Sequence, residues 1–272
     1  MNRKQIIEQI KIKKNCLCVG LDTDINKIPT HLLSRPDAIL LFNKAIIDAT
    51  KNYCTGYKIN TAFYEVLGVK GWEILEETIA HIPSTHFKIA DAKRGDIGNT
   101  SAQYAKTFFE TYAFDAVTVA PYMGEDSIRP FLEYENKFAI VLGLTSNKGA
   151  NDFELLKTSD NNFFYEKIIN AVSKWGTPDN LMFVVGATQA SEFINIRKII
   201  PQHFLLIPGI GAQGGSLKEV SEYGMNKDYG LIVNASRAII YKSAAENFAE
   251  EAAKTAKECA EEMKNYISTY II

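Results

Sequence analysis

Eight short apolar runs, rich in β-branched and aromatic residues, recur along the chain, and a helix-like segment follows each of them. The strand segments are 16–22, 56–61, 86–93, 116–120, 138–145, 181–186, 204–208 and 230–234. Several are nearly continuous apolar runs, the pattern of parallel strands covered on both faces. Helical periodicity marks 37–52, 71–81, 100–111, 127–134, 163–175, 190–199 and 216–223. A last amphipathic helix is expected from about 244 to 266, and residues 1–15 are also charged and helix-like. Strict βα alternation requires parallel strands joined by helical crossovers. Eight such units in roughly 250 residues are the size of a (β/α)8 TIM barrel, with an open doubly-wound sheet as the alternative. No Pro/Gly/Ser linker or shift of composition divides the 272 residues. The expectation is therefore a single α/β barrel domain over 1–272, with an N-terminal helix and a long C-terminal one.

A chain of this length buries a large core without disulfides or metals. Its 46% hydrophobic and 23% charged residues are the balance of a soluble globular protein. The formal charge of −2 supplies no global basic field for nucleic acid or an acidic membrane surface. Any bound anion needs a local site. The four cysteines, Cys16, Cys18, Cys54 and Cys259, fit neither zinc spacings nor a dense disulfide scaffold. Cys16 and Cys18 alternate along an apolar run and read as small buried hydrophobes. No stretch approaches the ~20 apolar residues of a membrane span, and the N-terminal segment lacks a signal-peptide pattern. A reduced, cytoplasmic protein is expected. His31, His81, His86 and His203 show no metal or triad spacing and read as surface or packing residues.

Charge gathers at the ends of the second and third strands. Asp91-Ala92-Lys93-Arg94-Gly95-Asp96-Ile97 closes an otherwise apolar strand. Asp91 and Lys93 are two apart, so on a regular strand both point to one face, which at a barrel strand end is the mouth. Asp96 follows after a glycine that lets the chain turn, and Lys58 lies late in the second strand. The result is either a rim of ion pairs, which contributes little, or a site that uses four gathered charges. Arg94 does not share the inward face and reads as structural or interfacial. Two long connections, 23–37 and 146–161, lie on the same C-terminal side of a barrel, where catalytic loops sit.

After the seventh strand comes Pro208-Gly209-Ile210-Gly211-Ala212-Gln213-Gly214-Gly215-Ser216, leading into a helix. Its glycines fit G-x-G-x-x-G formally, but in the seventh βα unit and without the acidic residue that reads ribose in dinucleotide sites. The spacing suits a loop whose N–H groups and following helix N-terminus cradle one phosphate. Arg237, just past the eighth strand, is placed to pair bidentately with phosphate oxygens. An ordinary tight turn and a surface ion pair are the plainer readings of the same residues.

The segment Asp91 to Ile97 resembles the D-x-K-x-x-D-I signature of orotidine 5′-phosphate decarboxylases. The Ala, Arg and Gly inside it, with this chain length, resemble the longer bacterial subfamily, type 2. The likeness extends through Val19-Gly20-Leu21-Asp22, Lys58-Ile59-Asn60, Thr145-Ser146-Asn147, the loop 208–215 and Asn234-Ala235-Ser236-Arg237. It implies decarboxylation of orotidine 5′-phosphate (OMP) to UMP, the last step of de novo UMP biosynthesis, with no metal and no organic cofactor. Lys93 would donate the proton, Asp91 would lie beside the substrate carboxylate, and Lys58 and Asp22 would contact ribose and complete the charge network. Asn60 would join the substrate contacts. Asp96, Ile97 and Thr100 would reach into the other active site of a homodimer. Pro208, Gln213, Gly214 and Arg237 would surround phosphate, and either Thr145 or Ser146 would read the pyrimidine edge. The neighbouring readings are a magnesium-dependent sugar-phosphate decarboxylase or aldolase of the same superfamily and a non-catalytic barrel that binds a phosphate ligand. The former would need additional carboxylates for the metal.

Overall fold

In the computed structural model, residues 1–210 and 214–271 are described. Eight parallel strands, β1 (Leu17–Gly20), β2 (Gly56–Asn60), β3 (Phe87–Arg94), β4 (Ala116–Val119), β5 (Phe138–Leu144), β6 (Leu181–Val185), β7 (Leu205–Ile207) and β8 (Leu231–Ala235), pair in chain order. β8 pairs back onto β1, with Leu17 opposite Val233, so the sheet is closed and the open-sheet alternative falls. β1, β4, β6, β7 and β8 are buried along their whole length. That is why their sequences run apolar without alternation.

The outer layer holds α2 (Ala38–Thr50), α4 (Val69–His81), α5 (Gly98–Lys106), α6 (Glu125–Leu132), α7 (Phe164–Val172), α8 (Phe193–Ile199), α9 (Leu217–Gly224) and α11 (Phe248–Tyr270). The earlier helix α1 (Arg3–Lys13) opens with a capping box between Asn2 and Gln5. It crosses the N-terminal ends of the strands. Ile6 and Ile10 are buried, Arg3 bonds the Gln202 carbonyl and Asp228, and the terminal ammonium pairs with Asp115. One end of the barrel is thus sealed, and the opposite end carries the charged residues.

Helix boundaries depart from periodicity where packing overrides it. The segment expected over 100–111 begins at Gly98, and its last turn, Thr107–Thr111, is wound as a π-helix. The wider turn accommodates adjacent Phe108 and Phe109, both buried. The segment expected over 190–199 is split into a 3₁₀ stretch, Ala187–Glu192, and α8. The C-terminal helix is shifted to Phe248–Tyr270. Two short helices, α3 (Ala62–Glu65) and α10 (Arg237–Ile240), span too few residues to show a period. The four cysteines are free. Burial pushes the Cys16 thiol up to about 12 and that of Cys54 to about 11. No helix among the described residues is long and apolar enough to cross a membrane.

Candidate active site

Lys58 is the centre of the charged cluster. It lies opposite Gly20 in the β1 and β2 register and is 3% exposed. Its Nζ donates to Asp22 Oδ1 at 3.0 Å and to Asp91 Oδ2 at 3.0 Å. Burial pushes the ammonium pKa down, but the two carboxylates outweigh it and raise it above the usual lysine value. Asp91 also accepts from Lys93 Nζ at 2.5 Å and from the Thr118 hydroxyl at 3.1 Å. Burial pushes its carboxyl up, yet Lys58 and then Lys93 overcome this and hold it well below the carboxylate range. Asp22, Lys58, Asp91 and Lys93 therefore form one alternating chain of ion pairs. The Lys93 side chain is half exposed at the open end.

Strand alternation is not what brings Asp91 and Lys93 together. The β3 and β4 register shifts between Ala90 and Arg94, and Lys93 takes φ 47°, a left-handed backbone. The side chains meet across a bulge, a common device for re-aiming residues beside active sites. Arg94, on the far side of this kink, pairs with Glu65 and lies over the rings of Tyr104 and Phe108. These contacts keep Arg94 out of the charged cluster.

Next to the cluster is a cavity of about 140 Å³ lined by Asp22, Lys58, Asp91, Pro208, Gly209, Ile210, Asn234, Ser236 and Arg237. The lack of a side chain at Gly20 makes room for Ser236 at its wall, since a Cβ there would lie 1.8 Å from Ser236 Oγ. Asn234 turns its Nδ2 to Ser236 Oγ at 3.1 Å, and its buried Oδ1 has no partner among the described residues. Gly209 (φ 96°) and Gly214 (φ 84°) take backbones that side chains disfavour, and the Gly215 N–H closes the loop onto the Gly209 carbonyl at 3.2 Å. Gln213 lies outside the described residues. The Ser216 hydroxyl caps α9 by accepting the Glu219 N–H.

At the end of β5, Thr145 is gripped by Glu154 from the long loop after that strand, and its carbonyl accepts from Gln189 at 3.3 Å. Ser146 packs against Gly186. Asn60 stands opposite Asp91 in the β2 and β3 register, and its Oδ1 accepts the Ala62 N–H. Asp96, Ile97 and Thr100 do not join the cluster of their own chain. Asp96 Oδ1 accepts the Ile97 N–H at 2.7 Å, Ile97 is 61% exposed, and Thr100 lies on exposed α5 surface. Sequence reasoning missed Thr118 and Glu154. The signal for Thr118 was present as the one polar residue in Ala116-Val117-Thr118-Val119. Glu154, in an irregular loop, left none. Among the described residues no three His, Cys, Asp or Glu side chains gather as a metal site.

The sequence profile of the orotidine 5′-phosphate decarboxylase / HUMPS family matches residues 15–255. The chain belongs to this family. A relative from Bacteroides fragilis named orotidine 5′-phosphate decarboxylase is 57% identical over 274 residues, covering 100% of both chains. One of the same name from Phocaeicola vulgatus is 58% identical over 267 residues, covering 97% of this chain and 98% of its own. The structure of Leishmania donovani OMP decarboxylase is similar at a TM-score of 0.83 and 33% identity, over 98% of each chain. Leishmania donovani UMP synthase matches at 0.84 and 36% over 95% of this chain, which spans only 55% of that longer protein. The closed eight-stranded barrel described above is the fold these solved structures share with this chain.

Proposed function

We propose that this chain decarboxylates OMP to UMP and carbon dioxide, the reaction for which its full-length relatives are named. The observation that carries the reading is the alternating array of Asp22, Lys58, Asp91 and Lys93 beside the cavity that Gly209 and Arg237 line. Loss of carbon dioxide from pyrimidine carbon 6 leaves a carbanion with no adjacent π-system to spread its charge. A preorganised cation must stabilise it, and in this reading Lys93 does so and then delivers its proton to carbon 6. Asp91 lies beside the departing carboxylate, while Lys58 keeps Asp91 ionised and contacts ribose together with Asp22 and Asn60. Arg237, Gln213 and the backbone N–H of Gly214 hold phosphate, with Pro208 lining the same cavity, far from the breaking bond. Phosphate binding energy serves to seat the ring and close the loop.

In the same reading the working unit is a cytoplasmic homodimer. Asp96 has no partner in its own charge cluster, and exposed apolar Val66, Val69, Ile97, Tyr122 and Met123 follow β2, β3 and β4 at the open end of the barrel. A second subunit covering this surface would bring Asp96, Ile97 and Thr100 to its partner's site. A magnesium-dependent relative fits less well. The two inward carboxylates, Asp22 and Asp91, are already bridged by the Lys58 ammonium at 3.0 Å from each, so a divalent cation there would face a buried positive charge. The test is incubation of the purified protein with OMP, with and without a chelator, followed by loss of orotate-type absorbance. Chelator-insensitive formation of UMP is expected. A folded dimer that leaves OMP untouched would sink the proposal and turn attention to sugar phosphates with added magnesium.

A further inference from the structure

One residue of β4 stands opposite the charged stretch of β3. Ala90 is in register with Val117 and Arg94 with Val119, so Asp91, Ala92 and Lys93 together face Thr118 alone. Extra residues of this kind leave backbone groups without ladder partners. Here the Thr118 hydroxyl takes the place of the ladder. It accepts the Lys93 N–H at 2.9 Å and donates to Asp91 Oδ1 at 3.1 Å. A hydroxyl has one proton to give and lone pairs to receive, so it meets both demands at once. Thr118 is fully buried, and its β-branched side chain has a stiff χ1, so the strand itself aims the hydroxyl.

Packing alone does not call for a threonine here. Its strand neighbours are Val117 and Val119, and a valine would fill nearly the same volume. What only the hydroxyl supplies is a link between two atoms that the chemistry needs in fixed places. Lys93 holds a left-handed backbone that a residue with a side chain adopts only when its surroundings enforce it. Asp91 Oδ1 is shared between the Lys93 ammonium and the Thr118 proton, so the carboxylate cannot turn to follow the lysine without losing a bond.

We propose that Thr118 is a positioning residue for the decarboxylation: it fixes the Lys93 backbone and the Asp91 carboxylate relative to each other without touching substrate. This rests on the functional reading above. Removing the hydroxyl frees the backbone at residue 93 to relax, and the ammonium then meets carbon 6 in only a fraction of conformers. Ground-state binding of phosphate, which falls to residues after β7 and β8, is left nearly intact.

The experiment compares Thr118→Val and Thr118→Ser with wild type by steady-state kinetics, UMP affinity, thermal melting and amide hydrogen exchange. In Thr118→Val, kcat should fall by about 10- to 100-fold, the scale of a small misplacement of a catalytic group. UMP affinity should change by less than about threefold, since that binding is not specific to the transition state. Thr118→Ser should recover most of the rate. The Lys93 amide should lose its protection in the valine variant while Ile89, deeper in β3, keeps its own. Wild-type kcat in Thr118→Val overturns the proposal. So does an equal loss in both variants that tracks a lower melting temperature, which would assign Thr118 to packing. If the valine variant does not fold, Thr118→Ala is read by the same criteria. If wild type does not turn over OMP, the decarboxylase reading fails, and the Lys93 amide still reports whether Thr118 holds the bulge.

Discussion

Glu154 holds both hydrogen-bond donors of Thr145: its carboxylate accepts the backbone N–H at 2.6 Å and the hydroxyl at 2.8 Å. The hydroxyl is also 2.6 Å from Asn147 Oδ1, so it is committed within its own loop. Its neighbour Ser146 packs where any side chain at Gly186 would meet its Cβ at 2.7 Å, next to the end of β6. In the proposed function Thr145 or Ser146 reads the pyrimidine edge, and if it is Ser146 the two variants separate. Ser146→Ala should lower kcat/KM by roughly 10- to 100-fold, as expected when a site loses a hydrogen bond to its substrate. Thr145→Val should cost less than about a fifth of that factor. Steady-state kinetics on both variants decides it, and the reverse ranking returns the role to Thr145.

Lys58 bridges two carboxylates from a buried position. Lys58→Met leaves Asp22 and Asp91 facing each other across an apolar side chain, a loss on the order of 3–5 kcal/mol in unfolding free energy. In wild type, the depressed Asp91 carboxyl contributes stability that is fully present above the unfolded value of about 4 and is lost as pH falls through its folded value. Lys58→Met should weaken this acid dependence. Urea denaturation of both proteins at neutral and acid pH measures it, and equal stability at neutral pH would show that the pair contributes nothing net.

Asp96 and Lys93 are three residues apart in the chain, yet Lys93 pairs with Asp91 and the Asp96 carboxylate accepts the Ile97 N–H. If Asp96 serves the partner's site, Lys93→Ala and Asp96→Ala are each inactive alone but complement when mixed and reassembled. Half of a random mixture is hybrid, and each hybrid dimer has one intact site, so about a quarter of wild-type activity should return. An Asp96 acting within its own subunit would restore none.

His86 and His203 are both held neutral. Burial is the first cause for each, followed by Lys13 beside His86 and Arg197 near His203, and both pKa values are pushed down to about 4. Unfolded histidine titrates near 6.5, so below that pH the unfolded chain takes up protons that the fold refuses. Stability is complete above about 6.5 and falls as the pH is lowered toward 4, by about 1–3 kcal/mol per histidine. The His203 ring packs edge-on to Phe183 with neither nitrogen partnered among the described residues. His203→Phe should flatten the slope between pH 6.5 and 4 and leave the protein no less stable at pH 5. An unchanged slope in equilibrium unfolding would rule out His203 as a contributor.

The barrel was legible because parallel strands buried on both faces leave a continuous apolar record, interrupted only where the chain turns. Asp91, Lys93 and Lys58 were legible for the opposite reason, as charges at the ends of apolar strands. Strand alternation gave the right neighbours for Asp91 and Lys93 by the wrong route, since a bulge and a left-handed lysine join them. Nothing local announces a bulge when no glycine marks it. The π-turn at Phe108 and Phe109 was hidden for a similar cause, because tertiary packing selects it over a helix of ordinary pitch. Glu154 was illegible since its partner Thr145 is set by the fold of an irregular loop.

Gly20 and Ser236 meet at the seam where the first strand closes onto the last. Asp22, Lys58, Asp91 and Lys93 all belong to the first three βα units, whereas Asn234, Ser236 and Arg237 arrive with the eighth. A chain emerging from the ribosome thus carries its acid and base groups well ahead of the pocket wall that seats a ligand beside them. Pairing of β8 onto β1 is what sets Asn234, Ser236 and Arg237 beside Asp22, Lys58 and Asp91 around one cavity, so ring closure and pocket completion are a single event in the fold.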